Sequence, residues 1–128
     1  MYSNFREKLS AGKFDASVGI SIFELVKGKA VSSFGTRMEA GKKVGCHSHE
    51  HGDEWYIILN GNGTIYLGDV CDNGMIVNKR EFPVTKGSVF VIPEKTAHQL
   101  KADTQLDLIF MCPASHLEND RCGHVDLV

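Results

Sequence analysis

Between Lys27 and Gly87 the chain is cut again and again by turn signals: Lys27-Gly28, Ala40-Gly41, Asn60-Gly61-Asn62-Gly63, Asp72-Asn73-Gly74 and Lys86-Gly87. The apolar runs between them have the length of strands, and they are rich in β-branched and aromatic residues. WYIIL (Trp55 to Leu59) and TIYLG (Thr64 to Gly68) flank one such turn. Asn-Gly tolerates positive φ at both positions, so the two runs are expected to pair as an antiparallel hairpin. VGISIFEL, AVSSFGTRMEA, VGCHSH, MIVNKREF, SVFVIP, AHQLKA and LDLIFM supply further candidates. Eight or nine short alternating strands predict an all-β antiparallel sandwich or barrel. Ahead of them, residues 3–10 (SNFREKLS) read as a short helix capped by Ser3, with Gly12 as its stop.

One domain accounts for the length of 128 residues. Residues 1–17 read as an N-terminal extension, about 18–112 as the barrel, and 113–128 as a C-terminal tail. A net charge of -2 with scattered basic residues predicts no nucleic-acid partner. No apolar run is long enough for a membrane helix or a signal core, so the expectation is a cytoplasmic protein. The cysteines Cys46, Cys71, Cys112 and Cys122 then read as free thiols. WYIIL is apolar at every position, and a barrel interior covers only one of its faces. That predicts a homodimer.

The segment HSHEH, His47 to His51, is followed by Gly52, Asp53 and Glu54. In extended chain His47 and His49 project from one face, and two neutral imidazoles on one face can grip one ion. Glu54, Tyr56 and Ile58 share the face of the next run, which can look back at the histidines after a short turn. His51 continues the parity of His47 and His49 if the strand stays straight, but Gly52 favours a turn there. Asp53 reads as a turn residue. His98 opens an alternating run in which it shares a face with Leu100.

Gly41, His47, His49, Glu54 and Gly61 stand at the spacing G-x5-H-x-H-x4-E-x6-G. The pattern resembles the first motif of the cupin family. Gly87, Pro93 and His98 resemble the second, with Lys95 where a glycine is usual and Ala102 where an asparagine is usual. The resemblance covers roughly residues 30–112. It implies a double-stranded antiparallel β-helix, or jelly-roll barrel, around one divalent transition metal held by His47, His49, Glu54 and His98. Such a donor set suits Mn, Fe, Ni, Cu, Co or Zn. In an octahedral ion it leaves two positions for water, substrate or dioxygen.

Two functional classes follow. One is a metalloenzyme acting on a small carboxylate, sugar or diketone-like substrate by dioxygenase, decarboxylase, isomerase or lyase chemistry. The other is a non-catalytic small-molecule binding or sensing module, since this fold does not dictate a function. Glu50, His51 and Tyr56 are the titratable catalytic candidates beside the ligand set. Tyr56, Tyr66, Leu100 and Phe110 are cavity-lining candidates by strand parity. Cys112, His116, Cys122 and His124 offer a second zinc donor set, but their spacing fits no usual finger or ribbon. The segment reads instead as an ordinary polar tail.

Overall fold

The computed structural model describes residues 1–128. A single helical turn, α1 (Phe5–Lys8), opens the chain. Its cap is Asn4 rather than Ser3: the Asn4 side chain accepts from the backbone N–H groups of Arg6 and Glu7. That satisfies two of the donors a helix start leaves unpaired. Eleven strands follow: β1 (Lys13–Asp15), β2 (Ile20–Val26), β3 (Ser32–Met38), β4 (His47–Ser48), β5 (Glu54–Asn60), β6 (Gly63–Val70), β7 (Ile76–Val84), β8 (Val89–Ile92), β9 (Thr96–Ala102), β10 (Leu106–Cys112) and β11 (Cys122–Gly123). They form two antiparallel sheets, ordered β1-β2-β3-β10-β5-β8 and β11-β4-β9-β6-β7. Their inner faces close over Phe34, Ile58, Ile65, Leu67, Leu100, Leu108 and Phe110. The extensions at both ends are therefore parts of the sheets: β1 borders one and β11 the other.

The turn at Asn60–Gly63 behaves differently from the expected hairpin. β5 pairs with β10 and β8, whereas β6 pairs with β7 and β9. The segment is a corner that carries the chain from one sheet to the other. Gly61 has φ +89°, and a Cβ there would lie 2.1 Å from the Gln105 carbonyl oxygen. The Asn62 carbonyl accepts from Asp103 and Thr104, binding the corner to the β9–β10 connection. These non-local contacts decide between two outcomes that the same Asn-Gly chemistry permits. Asp72-Asn73-Gly74, by contrast, does close a hairpin, with Val70 opposite Ile76.

Lys95 shows how the chain manages without the usual glycine. It sits at φ +59°, with its side chain exposed and its N–H on the His49 carbonyl at 2.7 Å. A left-handed non-glycine residue costs roughly 1–2 kcal/mol, and a glycine there would lose about 0.5–1 kcal/mol of that gain to unfolded-state freedom. Lys95→Gly is therefore expected to raise stability by up to about 1 kcal/mol, read as a higher denaturation midpoint. A lowered midpoint would contradict this account of the turn.

Candidate metal centre

Side-chain alternation along three short elements assembles the centre. On β5, Glu54, Tyr56 and Ile58 face inward, while Trp55 on the opposite face is 45% exposed. β4 carries His47 opposite His98 of β9 in antiparallel register. His49 follows directly, before the chain turns at Gly52 with φ +85°. The result is a buried cluster of His47, His49, Glu54 and His98 whose ligand atoms all lie within 4.8 Å of one another. The Glu54 Oε2 atom is 3.1 Å from His49 Nε2 and 3.3 Å from His98 Nε2.

The hydrogen bonds behind the rings decide what those nitrogens are. Nδ1 of His47 donates to the Gly45 carbonyl at 2.7 Å, and Nδ1 of His98 to the Thr96 carbonyl at 3.1 Å. Nδ1 of His49 donates to the Asp120 carbonyl. A carbonyl only accepts, so each Nδ1 carries the proton and each Nε2 of the neutral ring is a bare lone pair. His49 Nε2, His98 Nε2 and Glu54 Oε2 are all buried without a hydrogen-bond partner. Acceptors that converge in a dry interior need a cation between them. The donor set, three imidazoles and one carboxylate with carbonyls orienting the rings, fits a divalent transition metal.

Burial pushes His47 down to about 2, with the neighbouring His98 acting in the same direction, so its ring is neutral. Burial raises the Glu54 carboxyl, and His49 and His98 hold it well below the usual carboxylate range only if their Nε2 atoms donate to it or carry charge, the role a bridging cation would take over when Nε2 is bare. Burial, reinforced by the Glu54 charge, keeps Tyr56 a neutral phenol.

The C-terminal segment is the part that sequence reasoning misjudged. After β10 a 3-10 turn, Ala114–Leu117, buries His116 against the centre. Its ring stacks on His49 at 3.8 Å with planes 3° apart. Nε2 of His116 donates to the His51 carbonyl at 2.6 Å, which leaves Nδ1 bare, 4.0 Å from Glu54 Oε2. An imidazole lone pair lies in its own ring plane. Two parallel stacked rings therefore cannot aim at one ion, and His116 acts as a wall that fixes the orientation of His49. Asp120 completes the support: its carboxylate accepts from the backbone N–H groups of Glu50 and His51. The tail donors Cys112, His116, Cys122 and His124 do not assemble. Cys122 is exposed, and His124 bonds Ser48 at 2.7 Å. Cys112 and His116 instead lie beside Glu54.

The remaining candidates divide by face. Glu50, His51 and Asp53 are exposed and stand outside the cluster. Tyr56, Leu100 and Phe110 line the cavity above the centre, together with Ile20, Leu108 and Arg121. Tyr66 does not: Ile65 and Leu67 take the inward positions of β6, and Tyr66 lies with Lys79, Arg80 and Glu81 on the outer side. The free volume in the cavity is about 20 Å³, room for roughly one or two water molecules.

Two packed sheets carrying three histidines and a glutamate on their inner faces define a double-stranded β-helix protein with a metal-type centre. The family model described as "Cupin domain" matches residues 36–113, and the chain belongs to the cupin family. No curated protein sequence matches it. Among solved structures it is similar to the capsular polysaccharide assembling protein CapF from Staphylococcus aureus, with a TM-score of 0.71 and 21% identity. That match covers 88% of this chain and 31% of CapF, so the chain spans about a third of that protein's length. An RmlC-like cupin protein from Desulfovibrio desulfuricans aligns with a TM-score of 0.58 at 22% identity, covering 79% of this chain and 87% of the other. The oxalate decarboxylase of Lactobacillus farciminis, solved as a formate complex, aligns with a TM-score of 0.66 at 16% identity, over 87% of this chain and 32% of that one. At these identities the likeness concerns the fold.

Proposed function

We propose that this protein is a metal-dependent enzyme acting on a small polar substrate, with the ion held by His47, His49, Glu54 and His98. The observation that carries the reading is the convergence of bare, buried acceptor atoms at the floor of a cavity. A divalent ion held there would supply Lewis acidity and open positions for substrate oxygen atoms. The chain's own residues set the rest. Carbonyls of Gly45, Asp120 and Thr96 keep the rings in the ligating tautomer. Ile20, Leu100, Leu108 and Phe110 exclude water, and Tyr56 supplies a neutral hydroxyl in the lining. Among small carboxylates, sugars and diketones, the small free volume favours the most compact, a carboxylate of a few heavy atoms.

The test is to reconstitute the purified protein separately with Mn, Fe, Co, Ni, Cu and Zn, then screen such compounds with and without air. Turnover that needs the metal and is absent from His98→Ala supports the enzyme. Specific ligand binding without turnover would replace it with the binding-module alternative.

The proposal includes self-association. Trp55, Ile57, Val89, Val91, Ile109 and Met111 lie on the outer face of β10, β5 and β8, in register with one another. Trp55 and Val89 are 45% and 57% exposed. A contiguous apolar face of this kind suits a second copy of the chain. Sedimentation is expected to show a dimer that Trp55→Glu converts to monomer; a wild-type monomer at micromolar concentration would contradict it. No helix is long and apolar enough to cross a membrane. The four unpaired cysteines suit the reducing cytosol, where we place the protein.

A further inference from the structure

Two arginines in this chain are anchored in different ways. Arg37 holds Asp107 with the side-on edge of its guanidinium, Nε at 2.7 Å and Nη2 at 3.0 Å from the two carboxylate oxygens. Arg121 uses the other end. Its Nη1 contacts Asp15 Oδ2 at 2.8 Å and also the Ser17 hydroxyl. Nε of Arg121 is buried with no partner. The edge that Arg37 fills with a carboxylate is thus unfilled in Arg121, and Arg121 lines the cavity that ends at His47, His49 and Glu54.

A buried N–H without an acceptor is unfavourable, and a bound acceptor relieves it. The guanidinium fork matches a carboxylate in shape and charge. Charge counting points the same way. With a divalent ion in place, the ion and Arg121 carry three positive charges, and Glu54 and Asp15 carry two negative ones. A single carboxylate entering the cavity brings the sum over these groups to zero, and an uncompensated charge beside the buried cluster is costly. A neutral ligand leaves the positive charge standing, and a dianion overshoots it.

We propose that Arg121 is the substrate-anchoring residue of this site, and that the substrate is a small monocarboxylate gripped by the free Nε–Nη2 edge while another of its oxygens faces the metal. The inference rests on the metal-dependent reading above and narrows its substrate class. Asp15 and Ser17, at the end of β1 and just beyond it, hold the guanidinium of this cavity-lining arginine through Nη1 alone, so the Nε–Nη2 edge is left for a ligand.

The test uses cobalt-loaded protein and two compact probes, glycolate and its neutral amide, with binding measured by calorimetry and by the visible spectrum of the bound cobalt. Wild type is expected to bind glycolate about 10–100-fold more tightly than glycolamide, the range of a charge-assisted bidentate contact. Arg121→Gln, with unchanged cobalt content and circular dichroism, should bind the two probes about equally. Arg121→Lys keeps the charge beside Asp15 but loses the fork, so it should fall between them and serves if the glutamine variant misfolds. A cobalt-loaded wild type that binds both probes alike, or neither, overturns the inference while leaving the metal centre intact. So does an Arg121→Gln or Arg121→Lys variant that keeps the full preference. A wild type that takes up no cobalt overturns both.

Discussion

His98→Ala should yield a folded protein that retains almost no metal after dialysis. His98 is one of three imidazoles facing Glu54, and its Nε2 is 3.3 Å from the carboxylate that would share the ion. Removing it deletes a metal–ligand bond and leaves water to fill the position. The fold should persist, because the β4–β9 and β6–β9 pairings are made by the backbone. His47→Ala, His49→Ala and Glu54→Ala should behave alike. His51→Ala should keep its metal: the side chain is exposed, and His116 uses only the backbone carbonyl of His51. Metal content per chain across this series is the readout. Retention by His98→Ala together with loss in His51→Ala would reassign the ligands.

A chain ending at Pro113 should lose roughly 3–5 kcal/mol of stability and bind metal about 10–100-fold more weakly, though all four ligands remain. The missing segment carries the Asp120 carbonyl that fixes the tautomer of His49, and the His116 ring stacked on it. It also seals the outer side of β9. There Gln99 is fully buried, donating to the Val44 carbonyl and Asp126 and accepting from the Leu127 N–H. Without residues 114–128 two of those three amide hydrogen bonds are lost. Chemical denaturation and metal titration of the truncated chain check both effects. A truncation as stable as the full chain would mean that the segment merely lies on the surface.

Legibility followed the range of the signal. Side-chain alternation is local, so the inward face of Glu54, Tyr56 and Ile58 and the shared face of His98 and Leu100 could be read directly. The G-x5-H-x-H-x4-E-x6-G spacing carried the fold and three of the four clustered residues, and the partial second motif, Gly87, Pro93 and His98, carried the fourth. Sheet partners were a different matter. Asn60–Gly63 has the chemistry of a hairpin, and only its contacts with Lys101, Gln105 and Leu106 make it a corner. The ends of the chain were hardest to read. β1 and β11 are three and two residues long, too short for alternation to show. His116 reaches the centre from a 3-10 turn, and Asp120 and Arg121 from the irregular chain after it, none with a periodic signature. The one available hint was a cluster of histidine, aspartate and arginine in a segment otherwise taken as a tail. Tyr66 failed for a simpler reason: Gly63 begins β6 on the buried face, so inward positions are odd-numbered up to Leu67, and Tyr66 falls outside.

The central claim is that three imidazoles and one carboxylate of this chain hold a single ion. X-ray absorption fine structure on the cobalt-loaded protein tests it most directly, because it counts the imidazole rings around the metal. Three imidazole nitrogens at about 2.0–2.2 Å, with oxygen completing the shell, is the predicted result. One imidazole or none around the cobalt, or a protein that takes up no ion, would contradict it.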